Sequence, residues 1–171
     1  MSAFVIDENV LVVAEKEMPD EHTDDACIQR CIQALRLARK NLIVLDDSER
    51  ILKKYIDKFR PIEKGRAGFE IMMWLFEYQC NPERCERVKI TPLEDSFAEI
   101  PLELRQLDPE TNKRFDRKDH IWLAAAKASA NNPTILNATD TDWRDWRTQL
   151  ERHGFQIEFL CPNLMDKTRA S

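Results

Sequence analysis

Ala3-Phe4-Val5-Ile6-Asp7 opens the chain with an apolar run that ends on a carboxylate. The run is too short for a buried helix and shows no polar alternation, which predicts a strand covered on both faces. A short helix is expected over Asn9–Ala14, then an acidic loop over Glu15–Asp25 that contains Pro19. Thr23 or Asp24 is placed to cap the next helix. There Cys27, Ile28, Cys31, Ile32, Leu35 and Ala38 fall on one face at the helical period. Leu42–Leu45 predicts a second buried strand. Asp46, Asp47 and Ser48 are cap candidates for a helix reaching Phe59, with Pro61 as its stop. Ala67–Tyr78 predicts a helix broken at Asn81-Pro82. Val88–Ile90 is expected as a strand, and from Thr91 to Arg117 the pattern is lost among prolines and charges. A connection this long tends to be functional or mobile. Asp119–Ser129 predicts an Ala-rich helix, Thr134–Ala138 a strand, Asp142–His153 a helix stopped by Gly154, and Phe155–Leu160 a last strand. A polar tail is expected from Cys161-Pro162 onward.

Strands alternating with helices predict an α/β fold, a three-layer α/β/α sandwich around a mainly parallel sheet. One domain over 1–162 and a tail over 163–171 follow. The length of 171 residues suits one domain.

Composition narrows the function classes. Charged residues are 33% of the chain, but acids outnumber Lys and Arg by 31 to 26, giving a net charge of −5. Bulk-charge coating of nucleic acid is excluded; a local basic groove is not. The 3 glycines, Gly65, Gly68 and Gly154, write neither a Walker A loop nor a G-x-G-x-x-G turn. No apolar run approaches the ~18 residues of a membrane span. The opening stretch lacks a basic start and a long apolar run, so a cytoplasmic location with reduced thiols is expected for the 5 cysteines. C-x3-C and C-x4-C spacings without a matching His pair argue for core packing rather than zinc.

In a parallel sheet, ligands gather outside the carboxyl ends of the strands. The residues expected there are carboxylates. Asp7 follows the first strand, Asp46 and Asp47 the second, and Asp140 and Asp142 the Thr134–Ala138 strand; Asp116 and Asp119 open the Ala-rich helix. Converging carboxylates repel and hold their protons unless a cation compensates. Mg²⁺ or Mn²⁺ is the natural partner of hard oxygen ligands, and the set suits metal-assisted phosphodiester hydrolysis. Helix capping is the competing explanation for Asp46, Asp47, Asp119 and Asp142.

Three stretches carry a resemblance. Phe4-Val5-Ile6-Asp7-Glu8-Asn9-Val10-Leu11 resembles the "V-D-x-N-V-L" start of the PIN-domain family of metal-dependent ribonucleases. Lys118-Asp119-His120-Ile121-Trp122-Leu123-Ala124-Ala125-Ala126 resembles its "D-x-x-x-(x)-A-x-A" helix, and Thr139-Asp140-Thr141-Asp142-Trp143 its "T-x-D-x-D-F/W" strand end. Phe115-Asp116-Arg117-Lys118-Asp119 and Phe159-Leu160-Cys161-Pro162 are similar to a bacterial PIN subgroup. The resemblance implies an endoribonuclease with catalytic Asp7, Asp119 and Asp140, which with Asp142 bind Mg²⁺ or Mn²⁺. It implies RNA as substrate, and a toxin or defence role with an antitoxin protein or a homodimer as assembly. One position departs from it. Where the family carries a helix Glu, Ile51-Leu52-Lys53-Lys54-Tyr55 places Lys54. Either Glu49, Asp46 or Asp47 substitutes, or Lys54 neutralises the cluster and activity is lost, or Lys54 contacts the scissile phosphate.

The charge is segregated. Residues 30–66 hold eleven Lys and Arg against five acids, whereas the first 25 residues hold eight acids and one Lys. Arg50, Lys53, Lys54, Lys58 and Arg60 form a candidate basic helix for an RNA backbone. Lys54, Asn9 and Arg50 are the substrate-binding candidates. Trp143 and Trp146 are candidates for base stacking or core, Trp74 and Trp122 for core, and His120 for substrate contact. The competing function class is a catalytically degenerate scaffold that binds protein or RNA. A receiver-like phospho-accepting domain is a weaker third class, because it needs paired acids after the first strand and a late Lys after a strand.

Overall fold

The computed structural model describes residues 1–59, 66–108 and 112–167, so the Arg60 and Pro61 readings lie outside the described residues. Five parallel strands form one sheet: β1 (Ala3–Ile6), β2 (Leu42–Asp46), β3 (Cys85–Val88), β4 (Thr134–Asn137) and β5 (Gln156–Phe159), in the order β3-β2-β1-β4-β5. Central β1 pairs with β2 and β4 and is buried along its whole length, which is why it is written without a polar residue. Edge strand β5 exposes Gln156 and Glu158.

The helices are α1 (Glu8–Ala14), α2 (Asp25–Ala38), α3 (Arg50–Phe59), α4 (Ala67–Tyr78), α5 (Leu102–Arg105), α6 (His120–Ala128), α7 (Thr141–Asp145), α8 (Arg147–Arg152) and α9 (Pro162–Lys167). By the right-handed crossover rule, the connections that step from β1 to β3 place α1–α4 on one face of the sheet. The return through β4 to β5 puts α6–α8 on the other. The fold is therefore α/β in three layers. No helix among the described residues is long and apolar enough to cross a membrane.

Local chemistry explains the boundaries. Asp24, not Thr23, caps α2, accepting from the Cys27 N–H at 2.7 Å. Glu15 accepts from the Phe69 N–H at 2.9 Å and so closes the start of α4 from the end of α1. Gly68 lets these helices touch, since a Cβ there would stand 2.3 Å from the Leu11 carbonyl oxygen.

Several expectations are corrected. The third strand is Cys85–Val88, not Val88–Ile90: it pairs Ile43 with Cys85 and Asp46 with Val88, and an edge strand tolerates the Glu86-Arg87 pair between its buried ends. The predicted Asp142–His153 helix is two, broken at Trp146, with both indoles turned onto Phe115 at centroid distances of 5.0 and 6.2 Å. Those two rings are core. Trp122 is too, but Trp74 is only half-buried. In the long stretch before α6, Ile100, Leu104 and Phe115 are buried and α5 forms. Within the expected polar tail, Pro162–Lys167 form α9, with Met165 buried; the rest of the tail lies outside the described residues. Finally, Cys27 and Cys161 form a disulfide between α2 and the end of β5, against the expectation of reduced thiols throughout. Their separation of 134 residues hides the pair from spacing rules. Cys31 and Cys85 are buried free thiols, and Cys80 is exposed.

Candidate functional site

The sheet order reverses between β1 and β4, and a crevice opens beyond the carboxyl ends of strands at such a point. Asp7 leaves β1 there. Its N–H donates to the Leu136 carbonyl at 3.0 Å, which continues the β1–β4 ladder by one rung. One Asp7 oxygen, Oδ1, accepts from the Asn9 N–H at 3.0 Å and caps α1; the other, Oδ2, accepts from the Asn137 amide at 3.1 Å. Asn137 ends β4, and its Oδ1 accepts from the Asp140 N–H at 3.1 Å. One buried amide thus fixes two of the expected acids relative to each other. Nothing in the sequence patterns marked Asn137; full burial of a polar residue at the end of a central strand is its structural signature.

Asp119 enters from the other layer, at the end of a 3₁₀ turn over Arg117–Asp119 that starts α6. It is buried, and its Oδ2 has no hydrogen-bond partner among the described residues. Glu8, which the sequence reading left without a role, supplies a second such oxygen, Oε2. Lys54 stands 3.7 Å from the other Glu8 oxygen and 5.6 Å from the Trp122 ring centroid. Below it Tyr55 stacks on Trp122 at 5.8 Å and donates its hydroxyl to the Ile6 carbonyl at 2.6 Å, which seats α3 against the end of β1.

The electrostatics record the crowding. Burial, then the charges of Glu8 and Asp119, push the Asp7 carboxyl well above its usual range, against the pull of the Asn9 N–H. Burial and the Asp140 charge push Asp119 up to about 7. Burial and Asp142 raise Asp140 against the Asp142 N–H. Asp116 behaves in the opposite way: although burial opposes it, the Lys118 N–H and ammonium hold it below the usual value.

The remaining candidates separate. Asp142 is exposed, and Asp140 accepts from its N–H at 3.0 Å to cap α7. Both oxygens of Asp46 are spent on the Arg50 and Ile51 N–H groups at 2.9 and 2.8 Å, so Asp46 is a helix cap. Asp47 is exposed and accepts from the Ser48 hydroxyl. Glu49 is exposed with a φ of 61° and faces Arg87 at 3.9 Å, away from the cluster. The acid that meets Lys54 is therefore Glu8. Asn9 is spoken for, its Oδ1 accepting from the Ala138 N–H at 2.9 Å. Arg50 is exposed at the α3 start. His120 is fully buried with Nδ1 2.8 Å from the Ser96 hydroxyl, which holds the preceding long segment to α6.

Asp119 and Glu8 offer hard oxygen donors of the kind a divalent ion takes. Among the described residues no three carboxylates bring oxygens within 4.8 Å of one another; the trio that does is Cys27, Cys31 and Cys161. Mg²⁺ commonly keeps several waters and binds through one or two carboxylates. The unpartnered oxygens of Asp119 and Glu8 are suited to that mode. Searches of family models, curated proteins and solved structures returned no match.

Proposed function

We propose that this chain is a metal-dependent endoribonuclease of PIN type, cleaving RNA phosphodiesters at the crevice between β1 and β4. The supporting observation is the meeting of Asp7, Glu8, Asp119 and Asp140 at the switch point, with two buried carboxylate oxygens left without partners among the described residues. Asp7, Asp119 and Asp140, each held above the ordinary carboxylate value, are stabilised by a cation, and hard oxygens select Mg²⁺ or Mn²⁺. When bound, the ion supplies charge neutralisation for the phosphate and activation of a water. Asp7, Asp119 and Asp140 would hold it, with Glu8 beside them. Asn137 keeps Asp7 and Asp140 in register. Lys54 offers an ammonium to a phosphate oxygen once it leaves Glu8. The test is cleavage of labelled single-stranded RNA with Mg²⁺ or Mn²⁺, together with Mn²⁺ calorimetry. Cleavage and Mn²⁺ binding by the wild type, both lost in Asp7→Asn, support the proposal; intact RNA with both metals and no Mn²⁺ heat defeats it.

A specific observation favours the second reading, a catalytically degenerate scaffold. Lys54 already pairs with Glu8 and acts as an internal counter-cation. In that case the wild type binds no Mn²⁺ and cleaves nothing, and Lys54→Glu is the substitution expected to restore metal binding. The toxin or defence role, an antitoxin partner and a homodimer belong to the same proposal through the PIN resemblance, and a cytoplasmic location through the character of the opening stretch.

A further inference from the structure

At the opposite edge of the sheet lies a second surface of different chemistry. Arg36 sits in the last turn of α2, Arg39 caps its C-terminus, Lys40 follows, and Arg84 stands immediately before β3. Trp74 and Tyr78, at i and i+4 on α4, close the other side. Together these six residues line a hollow of about 480 Å³, within the range of small-ligand pockets. All four cations precede a strand, so they stand at the amino ends of β2 and β3, whereas Asp7 and Asp140 follow the carboxyl ends of β1 and β4. The length of a strand, roughly 15 Å at 3.3 Å per residue, separates the two surfaces.

Three features point to one ligand class. First, no carboxylate lines the hollow, and among the described residues none lies within 4.0 Å of Arg36, Arg39, Lys40 or Arg84. Four unpaired cations gather on a chain whose net charge is −5. Cations at a helix C-terminus complement its dipole, which accounts for those of α2 but not for Arg84. Second, the Trp74 and Tyr78 rings stack at 4.9 Å and stay half-buried rather than entering the core. Third, the Arg39 guanidinium lies 5.8 Å over the Trp74 ring, so charge and ring surface are already arranged side by side. Cations that track a phosphate backbone beside rings that stack on bases are the two components of single-strand nucleic-acid binding. The adjoining hollow around Met73 and Phe76 shares Arg39 and Trp74 with this one and brings in Glu70 and Glu77, so beyond those two residues the charge turns acidic.

We propose that Arg36, Arg39, Lys40, Arg84, Trp74 and Tyr78 form a binding site for single-stranded RNA, separate from the acidic crevice. It deepens the nuclease reading, because the strand held here is the substrate presented to the crevice. Its test is nevertheless independent of cleavage. The probe is a fluorescein-labelled single-stranded RNA of about a dozen nucleotides, within the span of known single-strand sites. Anisotropy is read in EDTA, where no metal-dependent cutting occurs.

The double variant Arg36→Gln/Arg84→Gln is expected to weaken binding about tenfold or more at low salt. Loss of two phosphate contacts should lower the slope of log K against log salt by about 1.4. Tyr78→Leu is expected to weaken binding at least about fivefold through lost stacking, with a thermal melt to verify folding. Wild-type binding that the groove substitutions weaken, with no cleavage by the wild type in Mg²⁺ or Mn²⁺, defeats the nuclease reading alone. Wild-type affinity in both groove variants overturns this proposal, as does absence of wild-type binding. Loss of affinity only in Lys53→Gln/Lys58→Gln moves the site to α3 and overturns it too. If the groove substitutions split a dimer and leave RNA affinity unchanged, the surface binds a second copy instead.

Discussion

Asp119 carries the clearest single-residue consequence. Burial and the Asp140 charge push its carboxyl from an ordinary value of 3.8 up to about 7. Below the ordinary value both folded and unfolded chains hold the proton, and nothing is lost. Between about 4 and 7 the folded chain keeps a proton that the unfolded chain releases, so stability falls as pH rises and levels off above about 7. A displacement of that size corresponds to roughly 4 kcal/mol at 1.36 kcal/mol per pKa unit. Metal-free Asp119→Asn is therefore expected to be more stable than wild type by up to a few kcal/mol at pH 8 and equal to it at pH 4, as read from urea curves. Mn²⁺ should raise the wild-type midpoint at pH 8 and leave that of the variant unmoved. Asp7, Asp119 and Asp140 were legible in the sequence because each closes a strand or opens a helix next to an apolar run. Glu8 and Asn137 were not. Glu8 reads as an ordinary first-turn acid, and Asn137 as the polar end of a strand, until the fold brings Lys54 and Asp7 to them.

At the scale of elements, the contact between α1 and α4 is set by one residue. A Cβ at Gly68 would meet backbone at 2.3 Å, and backbone cannot step aside as a flexible side chain does. Gly68→Ala is expected to destabilise the fold by about 2–4 kcal/mol, in the manner of an overpacked core. Gly154→Ala is the contrasting case. There the space is open and only the φ of 83° resists, so about 1 kcal/mol is expected. Thermal melts of both variants decide whether close approach or backbone conformation matters more. The helix α4 was read from sequence with its ends in place, because its apolar pattern is dense and both ends carry breaks. The β3 boundary was not, since its two buried residues flank a charged pair and only pairing with β2 defines it. Trp146 likewise sits in an unbroken helical pattern, and the break appears only because Phe115, far back in the chain, draws both indoles to itself.

For the whole molecule, the Cys27–Cys161 link joins two points 134 residues apart and ties the end of β5, with α9 behind it, to α2. Cross-linking so long a loop removes a large share of the freedom of the unfolded chain: the loop-closure model gives about 5 kcal/mol, and natural disulfides commonly deliver about 2–5 kcal/mol. Neither the proposed metal site nor the basic groove includes these sulfurs, because the acidic cluster and the Arg36–Trp74 surface are built from other residues. Stability and activity should therefore separate. Cys161→Ser, or wild type under dithiothreitol, is expected to unfold at lower urea by that amount, while Mn²⁺ affinity and RNA cleavage measured well below the midpoint stay at wild-type levels. A free-thiol count on the denatured wild type should give 3 without reductant and 5 with it, from the cysteines present and the one bond. Five thiols in both states would mean that the fold closes α2 on β5 by packing alone. The reduced and untreated protein would then share one urea midpoint, and the stabilisation would rest on Leu160, Met165 and their buried neighbours.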